Sequence, residues 1–339
     1  MIMSEFNESK GAPWAKAFRT ATAMCAIILV MAQSGNGDMM RIYQGLTIWA
    51  VPAMFMLWGM KDLENGKTGL GFTLAQRVLP ALGTLFIWGM VYEVLERCLT
   101  GGAFTNRVIL NMVQNIFLGR GAWHLWVLYP LIGLYLVYPM LQRFTAGADR
   151  QEGIYMLVLC FLFSALVPMF NILMPGNAFC EMLERLHINL VVGWLGCYLA
   201  GWYIMHFPIN SISEDLIYVL GIAGQILTLA GDMVFGGGYS LWCHYSAPNV
   251  VLTALAVCTM FRYVLDDRAG RNPHSLGGFA MGIYFFHQIW AMVFTRYGLT
   301  FDFMPDAISV PLMSVILFLL SVPFALILNK IPKLGSIMT

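Results

Sequence analysis

Ten runs of roughly twenty residues in this chain are almost free of charge: 17–35, 43–60, 78–97, 122–142, 153–175, 187–206, 215–235, 247–265, 277–297 and 309–329. An apolar run of that length crosses a bilayer as a helix, because lipid offers no partner to a backbone N–H or C=O. Charged residues make up 11% of the chain and hydrophobic ones 59%, whereas a soluble domain carries about twice that charge fraction. Lipid must therefore cover much of the surface. The sequence predicts an all-α fold, a polytopic membrane helix bundle of about ten transmembrane helices. No repeat and no Pro/Gly/Ser linker divides it, so 1–339 reads as a single membrane domain. The segment 104–118 is weaker, with apolar residues at helical spacing and polar ones between, and reads as an interfacial or re-entrant helix.

Several function classes drop out early. A net charge of +1 gives no sign of a nucleic-acid partner. The seven cysteines form no C-x-x-C pair, and Cys25, Cys160, Cys197 and Cys258 lie in apolar runs, where cysteine packs as a small hydrophobe. Neither a disulfide framework nor a metal site is expected. The chain has no G-x-x-x-x-G-K-[ST], H-E-x-x-H or G-x-S-x-G. Gly193, Cys197 and Gly201 place small residues four apart, which reads as a helix-packing face.

Ten spans put both termini on one side of the membrane. That side then holds thirteen lysines and arginines, including Lys10, Lys16, Lys61, Lys67, Lys330 and Lys333, against six arginines on the other. The excess predicts cytoplasmic termini in a multi-pass protein of the cell membrane. The other reading of the first run is a cleaved signal peptide preceded by Lys16 and Arg19, which would leave nine spans.

Ionisable groups inside spans are costly and so mark interior or water-lined positions. Arg19, Arg77 and Arg262 sit near cytoplasmic ends. They snorkel to headgroups or bind an anion through the guanidinium fork, the phosphates of an acyl-CoA donor among them. Gln33, Glu93, His124, Asn171 and Asp232 sit toward outer ends, and His287 is mid-span. Each histidine is either a hydrogen-bonded packing residue or a general acid/base, since an imidazole titrates near neutrality. Glu93 and Asp232 are candidate polar-interior partners for them. The residues alone lead to a membrane enzyme or a transporter.

Three segments resemble the acyltransferase-3 family of membrane acyltransferases. HLWVLYPLIGLYLVYPML, His124 to Leu141, resembles the family's H-L-W-F-L…L-I-x-L-Y-L-x-x-P-x-L span. FAMGIYFFHQIW, Phe279 to Trp290, is similar to its F-G-I-Y-L-x-H. The stretch from VPAMFMLWGM to AQRVLP, Val51 to Pro80, looks like V-P-x-F-F-M-x-S-G followed by R-x-x-x-P. YSAPNVVLTALAVCTMF, Tyr245 to Phe261, adds to this, and the likeness runs from about residue 20 to 330. It implies transfer of an acyl group, commonly acetyl, from cytoplasmic acyl-CoA to a hydroxyl of an extracytoplasmic glycan or lipid-linked sugar. No bound cofactor is implied. Arg77, His124, Gly282, Tyr284 and His287 fall on family positions. The family's first span carries an arginine and, eleven residues on, a catalytic histidine; here Thr22 and Gln33 stand there. Glutamine holds a hydroxyl without taking its proton. Either another base such as His124 or His287 serves, or the chain is a non-catalytic relative that transports or flips a glycan or lipid precursor.

Overall fold

The computed structural model describes residues 13–35, 37–63, 69–121, 123–186, 193–264, 276–300 and 304–330. Lys10, Lys67, Arg268, Arg271 and Lys333, used above for orientation, lie outside the described residues, as does 187–192 at the start of the sixth predicted span. Every regular element among the described residues is helical. In chain order these are α1 (Pro13–Gln33), α2 (Asp38–Thr47), α3 (Ala50–Asp62), α4 (Leu70–Thr100), α5 (Asn106–Phe117), α6 (His124–Gly147), α7 (Arg150–Leu173), α8 (Ala178–Glu184), α9 (Leu195–His206), α10 (Ser211–Phe235), α11 (Pro248–Tyr263), α12 (Leu276–Arg296) and α13 (Asp306–Asn329), with a single helical turn, Tyr239–Trp242, between α10 and α11.

Local chemistry sets many of the ends. Thr105, Asp149 and Asn210 cap α5, α7 and α10 by accepting a backbone N–H in the first turn, and Asp149 with Glu152 completes a capping box. Gly101, left-handed at φ 70°, closes α4. Two wide π-turns, Leu74–Val78 in α4 and Leu162–Leu166 in α7, each end two residues before a proline, Pro80 and Pro168. A proline ring crowds the carbonyl four residues back. That carbonyl belongs to Gln76 or Ser164, inside the π-turn, and widening the turn makes room for the ring.

Among the described residues, seven helices are long and apolar enough to cross a membrane: α1, α4, α6, α7, α10, α12 and α13. The remaining three predicted runs form shorter helices. The run 43–60 is broken at Ile48–Trp49 between α2 and α3, α9 has 12 residues and α11 has 16. Their apolar residues are spent on the interior, with Phe55, Tyr198, Ala254 and Cys258 all at 0% exposure. Apolar runs this short read as well as buried helices as they do spans. The bundle is polytopic and all-α, and helix length alone supports seven of the ten spans. Segment 104–118 is the amphipathic helix α5, which buries Met112 and Ile116.

Residue contacts divide the chain into two compact units. Unit 1 comprises Met1–Leu29, Asn36–Gly66 and Phe144–Gly278. In it α3 packs back-to-back on α9. A Cβ on Gly59 would lie 1.7 Å from the Tyr198 carbonyl oxygen, and one on Gly201 1.9 Å from that of Met56. Gly201 and buried Cys197 thus belong to a packing face, whereas Gly193 has nothing near it. Helix α10 lies as closely on α11, with Gly221 against Ala256 and Gly224 against the Asn249 carbonyl. Asn249 donates to Thr228 Oγ1 at 2.8 Å and to the Trp242 carbonyl at 2.7 Å. The outer face of α10 exposes Val219, Ile222, Ile226 and Met233 at helical spacing, as a lipid-facing helix does. Unit 2 comprises Val30–Gly35, Lys67–Arg143 and Phe279–Thr339. It packs α4 against α5 and α12, and α12 against α13.

Candidate functional site

In unit 2, polar groups converge where α4, the start of α6 and the middle of α12 meet. His124 sits in a tight 3-10 turn, Trp123–Val127, that opens α6, and His287 sits in α12. Both are buried, at 1% and 0% exposure. Their rings meet edge to face with centroids 5.8 Å apart. Tyr92 from α4 packs edge-on against His124 at 4.8 Å, and Tyr284 lies 5.2 Å from His287 and 6.1 Å from His124. Trp88, one turn before Tyr92, stacks on it at 5.8 Å and touches Phe285 and Phe286.

Hydrogen bonds hold this cage. The Tyr284 hydroxyl donates to the His124 carbonyl at 3.0 Å, tying α12 to the 3-10 turn. The Tyr92 hydroxyl donates to the Phe285 carbonyl, tying α4 to α12. His287 Nδ1 bonds the carbonyl of Tyr284, one turn earlier on its own helix. A narrow, partly open crevice is lined by Leu85, Gly89, Gly121, Leu125, Trp126 and Tyr129 among others. Leu125 follows His124 and Gly89 follows Trp88, so the crevice shares α4 and α6 with the cage, and Ile116 adds α5 to its lining.

Arg77 lies in the same unit at the other end of α4, in the π-turn before Pro80. It is half-buried. Its guanidinium carbon sits 4.9 Å from the Tyr138 ring centroid and 5.9 Å from that of Tyr135, and Nη2 donates to the Tyr138 hydroxyl at 3.4 Å. Both tyrosines are buried residues of α6. A cation over two aromatic faces is held by the ring quadrupoles. Fifteen residues separate Arg77 from Tyr92, so the guanidinium and the histidine cage stand roughly 22 Å apart along one helix.

The other sequence candidates fall elsewhere. Gln33 is the last residue of α1, half-buried, in the Val30–Gly35 stretch that clusters with unit 2. Glu93 is half-buried and turns from the cage toward α5, where Asn115 Nδ2 donates to it at 3.4 Å. Asp232 departs from the expected interior placement. It is exposed, and its Oδ1 accepts the Gly238 amide at 2.8 Å, holding the glycine turn after α10. Arg19 and Arg262 belong to unit 1. Their chain neighbours Phe18 and Phe261 meet at 5.3 Å between α1 and α11. Arg262 lies 5.1 Å from the Tyr263 ring centroid, and its Nη1 is buried without a hydrogen-bond partner among the described residues. Sequence reasoning passed over Tyr92 and Trp88, although their four-residue spacing in α4 put two aromatics on one face. It also passed over Asp62, a carboxylate at 2% exposure that accepts the Tyr198 hydroxyl at 3.1 Å in unit 1. Asp62 ends an apolar run next to Lys61 and reads as loop until the fold is seen.

No cluster of three or more metal-ligating side chains occurs among the described residues. Compared with known families, residues 21–330 match the model described as an acyltransferase domain, nearly the whole chain. No curated protein and no solved structure matches it.

Proposed function

This chain belongs to the acyltransferase-3 family of membrane acyltransferases, and on that premise we propose that it moves an acyl group from cytoplasmic acyl-CoA to a hydroxyl outside the membrane. The acceptor is a glycan or a lipid-linked sugar, and the acyl group is acetyl. The protein sits in the plasma membrane with both termini in the cytoplasm. The observation that carries this reading is the span between Arg77 and the histidine cage, two ends of one pair of helices roughly 22 Å apart. A CoA thioester has that shape in outline, with phosphates at one end and the reactive carbonyl at the end of a long arm.

Each residue has a chemical part in this reading. Arg77, pre-oriented on Tyr135 and Tyr138, bonds donor phosphate oxygens in fork geometry. In unit 1, the buried unpartnered Nη1 of Arg262 also suits an anion, with Arg19 as its companion. A histidine of the cage takes the acceptor's proton as oxygen attacks the thioester carbonyl. The C–O bond forms, the C–S bond breaks, and the proton leaves on the CoA sulfur.

Purified protein in detergent, given acetyl-CoA, tests the reading through release of free CoA. Turnover that rises with an added glycan acceptor supports it. Gln33 favours a second reading, because the family's first-span histidine is missing. A transporter or flippase-like relative would release no CoA from any acyl-CoA, and would instead move a labelled lipid-linked sugar across proteoliposomes.

A further inference from the structure

We infer that Nε2 of His287 is the atom that takes the acceptor's proton, and that Tyr284 positions it; this rests on the acyl-transfer reading above. His287 Nδ1 faces the Tyr284 carbonyl. A carbonyl only accepts, so Nδ1 carries the hydrogen and the neutral ring presents its lone pair at Nε2. Nε2 is itself buried, with no hydrogen-bond partner among the described residues, in a side chain at 0% exposure. A buried acceptor left open in this way calls for an explanation, and the group that satisfies it must be an O–H, N–H or S–H donor.

The neighbours narrow the choice. The phenol hydrogen of Tyr284 points to the His124 carbonyl and that of Tyr92 to the Phe285 carbonyl. Both tyrosines are therefore engaged as ties between helices, and neither supplies the missing donor. His124 meets His287 edge to face at 5.8 Å, too far between centres to be read as a hydrogen-bonded relay and right for a wall. The open lone pair belongs to a ring flanked by His124 and Tyr284 and is matched by an incoming hydroxyl. In the step, that O–H bond breaks to Nε2, its oxygen bonds the thioester carbonyl carbon, and the C–S bond breaks. The imidazolium then returns the proton to the departing thiolate, which leaves Nε2 as it began.

His287→Asn separates a catalytic from a structural role. The asparagine amide keeps a donor for the Tyr284 carbonyl where Nδ1 stood but puts no base where Nε2 stood. The expected result is a folded protein that binds CoA as the wild type does and whose kcat is lower by roughly 10²–10⁴-fold, with the donor KM unchanged. Wild-type kcat in His287→Asn overturns the inference, and so does loss in His124→Asn alone, which gives the role to His124. A wild type that transfers no acyl group from any acyl-CoA refutes the parent reading, and the assigned step with it. One measurement needs neither activity nor a variant that folds well: nitrogen NMR of ¹⁵N-histidine-labelled wild type. The His287 Nε2 resonance is expected in the unprotonated range, and a protonated Nε2 beside an unprotonated Nδ1 overturns the assignment.

Discussion

The tyrosines of unit 2 show how one residue type is used for two jobs. Tyr92 and Tyr284 spend their hydroxyls on carbonyls of a neighbouring element, whereas Tyr135 and Tyr138 offer their faces to Arg77. Removing only the Tyr92 hydroxyl, as Tyr92→Phe, should cost about 1 kcal/mol of stability. Tyr92→Ala, which also strips the contacts with Trp88 and His124, should cost about 3–5 kcal/mol. Unfolding of the two variants in detergent gives the comparison, and equal losses would mean that the ring contributes nothing. For Arg77 the expected behaviour is different. Arg77→Lys keeps the charge and loses the planar fork and its stacking, so CoA should bind about ten-fold more weakly. Equilibrium binding that is unchanged would mean that the side chain serves only to reach the headgroups. Residues of this kind were legible from the sequence one at a time, since Arg77, His124, Tyr284 and His287 all stand out as polar positions in apolar runs. What the sequence withheld was their company. Nothing local to His124 indicates that its ring meets that of His287, because that pairing depends on how α4, α6 and α12 pack.

At the scale of elements, helix type was legible almost everywhere and helix role was not. The runs at α1, α4, α6, α7, α10, α12 and α13 are long enough to cross a membrane, and composition announces that directly. The runs around α3, α9 and α11 have the same apolar character, yet their helices are short and their side chains largely interior. Hydropathy cannot separate lipid-facing from protein-facing burial, since both select the same residues. Glycine spacing carries part of the missing information, but only where a neighbour comes close. Gly59→Ala and Gly201→Ala each set a methyl group into a backbone carbonyl across the α3–α9 contact. Each should destabilise the protein by about 1–3 kcal/mol or more, since neither backbone has room to move away. Gly193→Ala, which meets nothing within 4 Å, should be close to neutral. Thermal unfolding of the three variants side by side checks the contrast, and a destabilised Gly193→Ala would mean that the small-residue face extends further than the contacts indicate.

For the whole molecule the open quantity is the parity of the spans. Among the described residues seven helices suffice by length and composition to cross a membrane, and an odd number separates the two termini. Ten crossings bring them together, which requires the chain around each of the shorter helices α3, α9 and α11 to cross as well. The distribution of charge favours the even count: thirteen lysines and arginines gather on one side in that arrangement and six on the other, the asymmetry expected of a cytoplasmic face. Cysteine labelling of intact cells decides between them. It is done in a background from which the exposed Cys98 and the half-buried Cys25 and Cys243 have been removed. With ten spans, Ser240→Cys, exposed in the short helical turn Tyr239–Trp242 after α10, should react with a membrane-impermeant maleimide. Lys10→Cys and Lys333→Cys should both stay silent until the membrane is opened. Labelling at only one of Lys10→Cys and Lys333→Cys in intact cells would establish an odd count. Labelling at Ser240→Cys and both terminal positions together would reject the orientation outright. The orientation bears on chemistry as well as on bookkeeping. In the acyl-transfer reading proposed above, ten spans would set the Arg77 end of α4 on the side of the acyl-CoA donor and the histidine cage toward the side of the acceptor hydroxyl, and a reversed result would leave the proposed donor and acceptor at the wrong ends of the same two helices.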